Sequence, residues 1–168
     1  MWMHQHDDIR PDLLAFGKKT QVCGCLGGPR LDEEPDNVFH LKSRLNSTWG
    51  GSLADMVRIT RYLEIIHEER LIEHAASAGE HLRHGLETLA LERPATFSNA
   101  RGRGLLCAID LHDTTARDAV VRRAYDLGMI VLPCGELSVR FRPTLDVTVA
   151  ELDEALDLLR RAAEPAAR

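Results

Sequence analysis

No apolar run in this chain approaches the roughly 20 residues that a membrane-spanning helix requires. The opening Met1–Trp2–Met3–His4–Gln5–His6–Asp7–Asp8 has neither the basic segment nor the apolar stretch of an export signal, so a cytoplasmic protein is expected. Excess positive charge is missing too. Lys and Arg number 21 against 26 Asp and Glu, and the net charge of −5 offers no electrostatic footprint for nucleic acid. Cysteines are only four, and without an export signal they read as reduced thiols rather than a disulfide framework. Cys23–Gly24–Cys25 lacks the usual two-residue gap between zinc ligands and no second cysteine pair follows, so no metal is assigned to it or to His4 and His6.

What remains is a globular composition, 44% hydrophobic and 28% charged, over 168 residues: enough for one good core or two small subdomains. The residues before Gly17 read as a short buried strand, and Gly24, Gly27 and Gly28 as a loop ending at Pro29. Asp32–Glu33–Glu34–Pro35–Asp36 reads as solvated surface. Leu53, Met56, Val57, Leu63 and Ile66 recur at helical spacing with charged residues between them. After a break near Glu69–Arg70 a second helix carries Leu71, Ala75, Ala78, Leu82, Leu86 and Leu89 on one face and ends before Pro94.

Arg101–Gly102–Arg103–Gly104 reads as a turn into a strand over 105–111, with Cys107 in its apolar core. Thr114 or Thr115 can cap a helix that runs to Leu127 and stops at Gly128. Strands are expected over 129–132 and 137–141, with a turn at Pro133–Cys134–Gly135 between them. Thr148–Val149–Ala150–Glu151 is a capping box for a last helix bearing Leu152, Leu156 and Leu159, and the tail after Ala162 is expected to fray. The pattern predicts an α/β chain whose last part is a small α+β domain with helices on one sheet face.

Four segments occur in a telling order: Phe16–Gly17–Lys18–Lys19–Thr20–Gln21–Val22–Cys23–Gly24, Arg44–Leu45–Asn46–Ser47–Thr48–Trp49–Gly50–Gly51–Ser52, Arg101–Gly102–Arg103–Gly104–Leu105–Leu106, and Val139–Arg140–Phe141–Arg142–Pro143. Together they resemble the class III pyridoxal-phosphate aminotransferases, and their wording is most similar to the branch that acts on the ε-amino group of lysine. The resemblance runs from about Pro11 to the last helix. It implies the C-terminal part of a fold-type I transferase: 1–52 the end of a large cofactor domain, 53–93 connecting helices, and 94–168 a small α+β domain.

The resemblance also implies roles. Lys18 would be the catalytic lysine that joins pyridoxal 5'-phosphate and then moves a proton as base and acid, with Lys19 as the second choice. A primary amine able to condense with an aldehyde suits that chemistry. Thr48 would hydrogen-bond the cofactor phosphate, in the family usually across a homodimer interface; read without the family, it is a helix N-cap. Ser52 stands where the family commonly has asparagine, and Trp49 reads either as a core aromatic or as pocket lining. Arg140 would pair with a substrate carboxylate through its planar fork, with Arg142 as the second choice, while Arg101 and Arg103 brace a turn.

The expected reaction moves an amino group, that of the lysine side chain, to 2-oxoglutarate. Ornithine, acetylornithine and aminobutyrate stay open as donors. The family's pyridine-pairing aspartate, ring-stacking aromatic and glycine-rich phosphate loop come before the lysine in sequence, so the isolated chain is expected to be inactive. A non-enzymatic small α+β binding or dimerisation module is the alternative from another class.

Overall fold

In a computed structural model, residues 1–45 and 47–164 are described. Asn46, the side chain of Lys19 and the expected frayed tail past Glu164 lie outside the described residues. The chain forms two compact units, Met1–Glu69 and a second beginning at Arg70. The boundary between the units falls between the two helices of the 53–93 segment.

In the first unit, β1 (Leu13–Phe16) pairs antiparallel with β2 (Gly24–Gly27), Phe16 opposite Gly24. The glycine is needed there: a Cβ on Gly24 would sit 2.3 Å from the Phe16 ring. The strand before Gly17 is present but only half-buried, its alternate residues exposed. Asn37, 9% exposed, organises the loop beyond, its side-chain amide donating to the Leu31 and Glu34 carbonyls at 2.8 Å each while the acidic 32–36 stretch faces solvent. Helix α1 (Leu53–Glu68) starts at Ser52, whose Oγ accepts from the Asp55 N–H at 3.4 Å, and buries none of its residues within the chain. Arg70, left-handed at φ 52°, makes the expected break.

The second unit opens with α2 (Leu71–Glu92). The antiparallel strands β3 (Phe97–Arg103) and β4 (Leu106–Leu111) follow, then α3 (Thr114–Asp126), β5 (Leu132–Cys134), β6 (Ser138–Phe141) and α4 (Val149–Ala162). The four strands form one antiparallel sheet in the order β3-β4-β6-β5. Strand alternation sends Cys107, Ile109, Leu111, Val139 and Phe141 into a core closed by Leu82, Leu86 and Leu89 of α2 and Leu152, Leu156 and Leu159 of α4. Thr148 and Glu151 form the expected capping box: Oγ1 accepts from the Glu151 N–H at 3.2 Å and Oε2 from the Thr148 N–H at 2.8 Å.

Three local readings change. Arg101–Gly102–Arg103 lie inside β3, a strand whose only fully buried side chain is Phe97, so it carries no apolar alternation to announce it. The cap of α3 is Asp113, whose Oδ1 accepts from the Ala116 N–H at 2.7 Å; a carboxylate outcompetes the threonine hydroxyls that follow. The strand expected over 129–132 is displaced to Leu132–Cys134 and includes Pro133, which is tolerated because β5 is an edge strand.

Gly79 on α2 meets the backbone of Gly104, and a Cβ there would come within 2.2 Å of the Gly104 carbonyl. Gly79→Ala is expected to cost about 3 kcal/mol of stability, because backbone cannot yield as a side chain does. Urea unfolding measures it; a change under about 0.5 kcal/mol would mean that helix and turn are not packed this closely.

Candidate active site

Gly17 follows β1 directly, and the space that a side chain would need is taken by the Cys23 thiol, 2.9 Å from where a Cβ would stand. Lys18 comes next and is left-handed at φ 60°, a costly conformation for a residue with a Cβ. Its carbonyl accepts from the Gln21 N–H at 3.1 Å, closing the short 3-10 turn Lys18–Thr20, and the Thr20 hydroxyl donates to the Val22 carbonyl at 2.5 Å. The result is an exposed lysine whose ammonium has no ion-pair partner among the described residues. Gln21, which ends the same turn, is also left-handed at φ 60°.

Thr48 stands in the turn before α1. The Gly50 N–H donates to the Ser47 carbonyl at 3.0 Å, the Ser52 N–H to the Trp49 carbonyl at 3.2 Å, and Gly51 takes φ 76°. Ser52 is the cap of α1, so Thr48 does not spend its hydroxyl on the helix end, which corrects the N-cap alternative. Among the described residues that hydroxyl makes no hydrogen bond. Trp49 is 79% exposed and is no core aromatic of this unit.

Arg140 lies in the second unit, in the middle of β6, between the buried Val139 and Phe141. Its register partners are Ala108 on β4 and Leu132 on β5. The guanidinium Nε is buried and has no hydrogen-bond partner, an open donor of the kind that a bound anion would satisfy. Arg142 is exposed just beyond the strand.

Residues not singled out from the sequence surround this position. Asp110 and Ser138 face each other across β4 and β6, and the Ser138 hydroxyl donates to Asp110 Oδ1 at 2.5 Å. Arg101 donates to the same oxygen at 2.9 Å, to Ser138 Oγ at 2.8 Å and to the Asn99 carbonyl at 2.9 Å, while Asn99 Nδ2 reaches Asp110 Oδ2 at 2.7 Å. Burial pushes the Asp110 carboxyl up, but the hydrogen bonds from Ser138, Asn99 and Arg101 outweigh it and hold it below the ordinary aspartate range. Arg101 therefore braces a strand, not a turn. The available signal was an aspartate two residues after Ala108 in an otherwise apolar strand, which strand alternation places on the face opposite the core. Cys107, by contrast, is core: its thiol donates to the Gly104 carbonyl at 3.4 Å, and burial pushes it up to about 11.

The residues match the family profile described as "Aminotransferase class-III" over 1–163. The L-lysine-epsilon aminotransferase of Amycolatopsis lactamdurans is 55% identical over 159 residues, covering 94% of this chain and 35% of that protein. Its counterpart in Streptomyces clavuligerus is 52% identical over the same shares. Among solved structures, a lysine aminotransferase from M. tuberculosis superposes with a TM-score of 0.92 at 52% identity, covering 96% of this chain and 37% of that one. The chain thus spans about a third of the length of the relatives it matches.

Proposed function

As the chain belongs to aminotransferase class III, we propose that its protein is a pyridoxal-phosphate-dependent transaminase that moves the ε-amino group of lysine to 2-oxoglutarate. Arg140 supports this most directly: a guanidinium fork with a buried, unpartnered Nε suits the carboxylate that both lysine and 2-oxoglutarate present. Lys18 fits the cofactor because its primary amine is exposed and uncommitted. Thr48 fits because its hydroxyl is free to donate to a phosphate oxygen.

Pyridoxal phosphate, when bound, supplies an electron sink for the carbon that bears the transferred nitrogen. The protein's own residues do the rest. Arg140 fixes one end of the substrate through paired N–H donors, so that the distant amino group is presented in one direction. Lys18 takes a proton at Nζ and returns it, which requires the neutral amine for part of each cycle. Thr48 anchors the phosphate end by its O–H. The proposal includes the domain limits 1–52, 53–93 and 94–168, a homodimer, and a cytoplasmic setting for the free cysteines. Among the described residues no helix is long and apolar enough to cross a membrane.

A donor panel tests the reading. Full-length protein with the cofactor and 2-oxoglutarate should form glutamate fastest from L-lysine, ahead of ornithine, acetylornithine and 4-aminobutyrate, with the lysine nitrogen lost from the side-chain end. Glutamate formed faster from 4-aminobutyrate than from lysine would overturn the donor, and none from any amine would overturn the activity.

A further inference from the structure

Two guanidiniums stand on the same sheet face. Arg101 on β3 is opposite Ala108 on β4, which is opposite Arg140 on β6, so a single alanine separates the two arginines along one row of the sheet. With strands about 4.8 Å apart, their Cα atoms are some 10 Å from each other, near enough for both side chains to reach the two ends of one dicarboxylate. Yet they are in opposite states. Arg101 is committed to Asp110, Ser138 and the Asn99 carbonyl, whereas the Nε of Arg140 is buried without a partner.

Asp110 lies diagonally from Arg140, since its own register partner is Ser138, two residues earlier on β6. Diagonal neighbours across a sheet are within reach of a long side chain. Three donors hold the carboxylate, Arg101 and Ser138 on Oδ1 and Asn99 on Oδ2, and Arg140 is not among them. Asn99 reaches it from an irregular stretch of β3 between Ser98 and Arg101, where its own φ is 50°. A bulge of this sort re-aims side chains near a site.

We propose that Asp110 and Arg101 form a mutual charge lock that sets the carboxylate selectivity of Arg140. Asp110 occupies Arg101, so the guanidinium in the same row as Arg140 is not open to a ligand; Arg101, in turn, keeps Asp110 from neutralising Arg140. The face then accepts one carboxylate, as an amino acid with a remote amine presents it, and does not grip both ends of a diacid. The inference rests on Arg140 being the carboxylate-binding residue.

Calorimetric binding of glutarate, a diacid, and hexanoate, a monoacid, to the full-length protein tests the lock without relying on turnover. Asp110→Asn frees Arg101 and should tighten glutarate about tenfold, as one charge-assisted contact would, with hexanoate changed less than about twofold. Arg101→Gln frees Asp110 to compete for Arg140 and should weaken both ligands by a similar factor, about tenfold. The double variant Asp110→Asn/Arg101→Gln should return both affinities to within about threefold of the parent, since neither released charge remains.

Loss of affinity in both single variants without recovery in the double would mean a merely structural network and would overturn the lock. So would an unchanged ratio of glutarate to hexanoate affinity in Asp110→Asn. If Asp110→Asn fails to fold, Arg101→Gln and the double variant still decide, because the lock requires the second to bind better than the first. Arg140→Gln separates the two ideas: unchanged binding of both acids there would overturn the carboxylate role of Arg140 itself.

Discussion

Replacing Lys18 by alanine should abolish transamination in the full-length protein, lowering kcat by about 10³-fold or more, because the variant loses both the covalent attachment and the proton carrier. Borohydride treatment in the presence of pyridoxal phosphate should label one peptide of the parent, the one containing Gly17 and Lys18, and none in Lys18→Ala. The left-handed backbone at Lys18 adds a second expectation. Lys18→Gly would relieve the strain and stabilise the turn while losing the chemistry, so melting temperature and activity should move in opposite directions. Label on Lys19, or spread over several surface lysines, would overturn the assignment.

Arg140→Lys should lower kcat/KM about 100-fold for both the amino donor and the keto acid. The ammonium keeps the charge but loses the fork, and a bidentate charge-assisted pair is worth about 2–3 kcal/mol. Arg142→Lys, at an exposed position beyond the strand, should change either value by less than about threefold. The loss at Arg140 should fall on both half-reactions, since one guanidinium serves each substrate's carboxylate. Equal and small effects at the two arginines would mean that neither holds substrate.

Local rules account for what could be read from the chain beforehand. The Thr148–Glu151 capping box and the Leu152, Leu156, Leu159 stripe are complete within a few residues, and both stand in the structure as read. Strand β4 was legible because Cys107, Ile109 and Leu111 alternate, although it begins at Leu106 rather than 105. Strand β3 was not. Its Ser98, Asn99, Arg101 and Gly102 have the composition of a turn, and only pairing with β4 makes them a strand.

The site divides along the same line. Lys18, Thr48 and Arg140 were marked by their neighbours in sequence, through resemblance. The left-handed φ of Lys18, the transfer of the capping role from Thr48 to Ser52, and the clasp of Arg101 on Asp110 depend on backbone geometry or on register between strands far apart in the chain. Asp110 and Ser138 are 28 residues apart, and nothing in either segment alone announces the other.

Pro133 sits at the centre of a three-residue edge strand, opposite Val139. A proline has no amide hydrogen to offer, and a strand this short leaves an incoming chain too few donors and acceptors to form a ladder. The covalent structure of β5 thus itself works against a further strand. Growth by strand addition from that side, the first step of edge-to-edge aggregation, is disfavoured by the strand's own sequence and length.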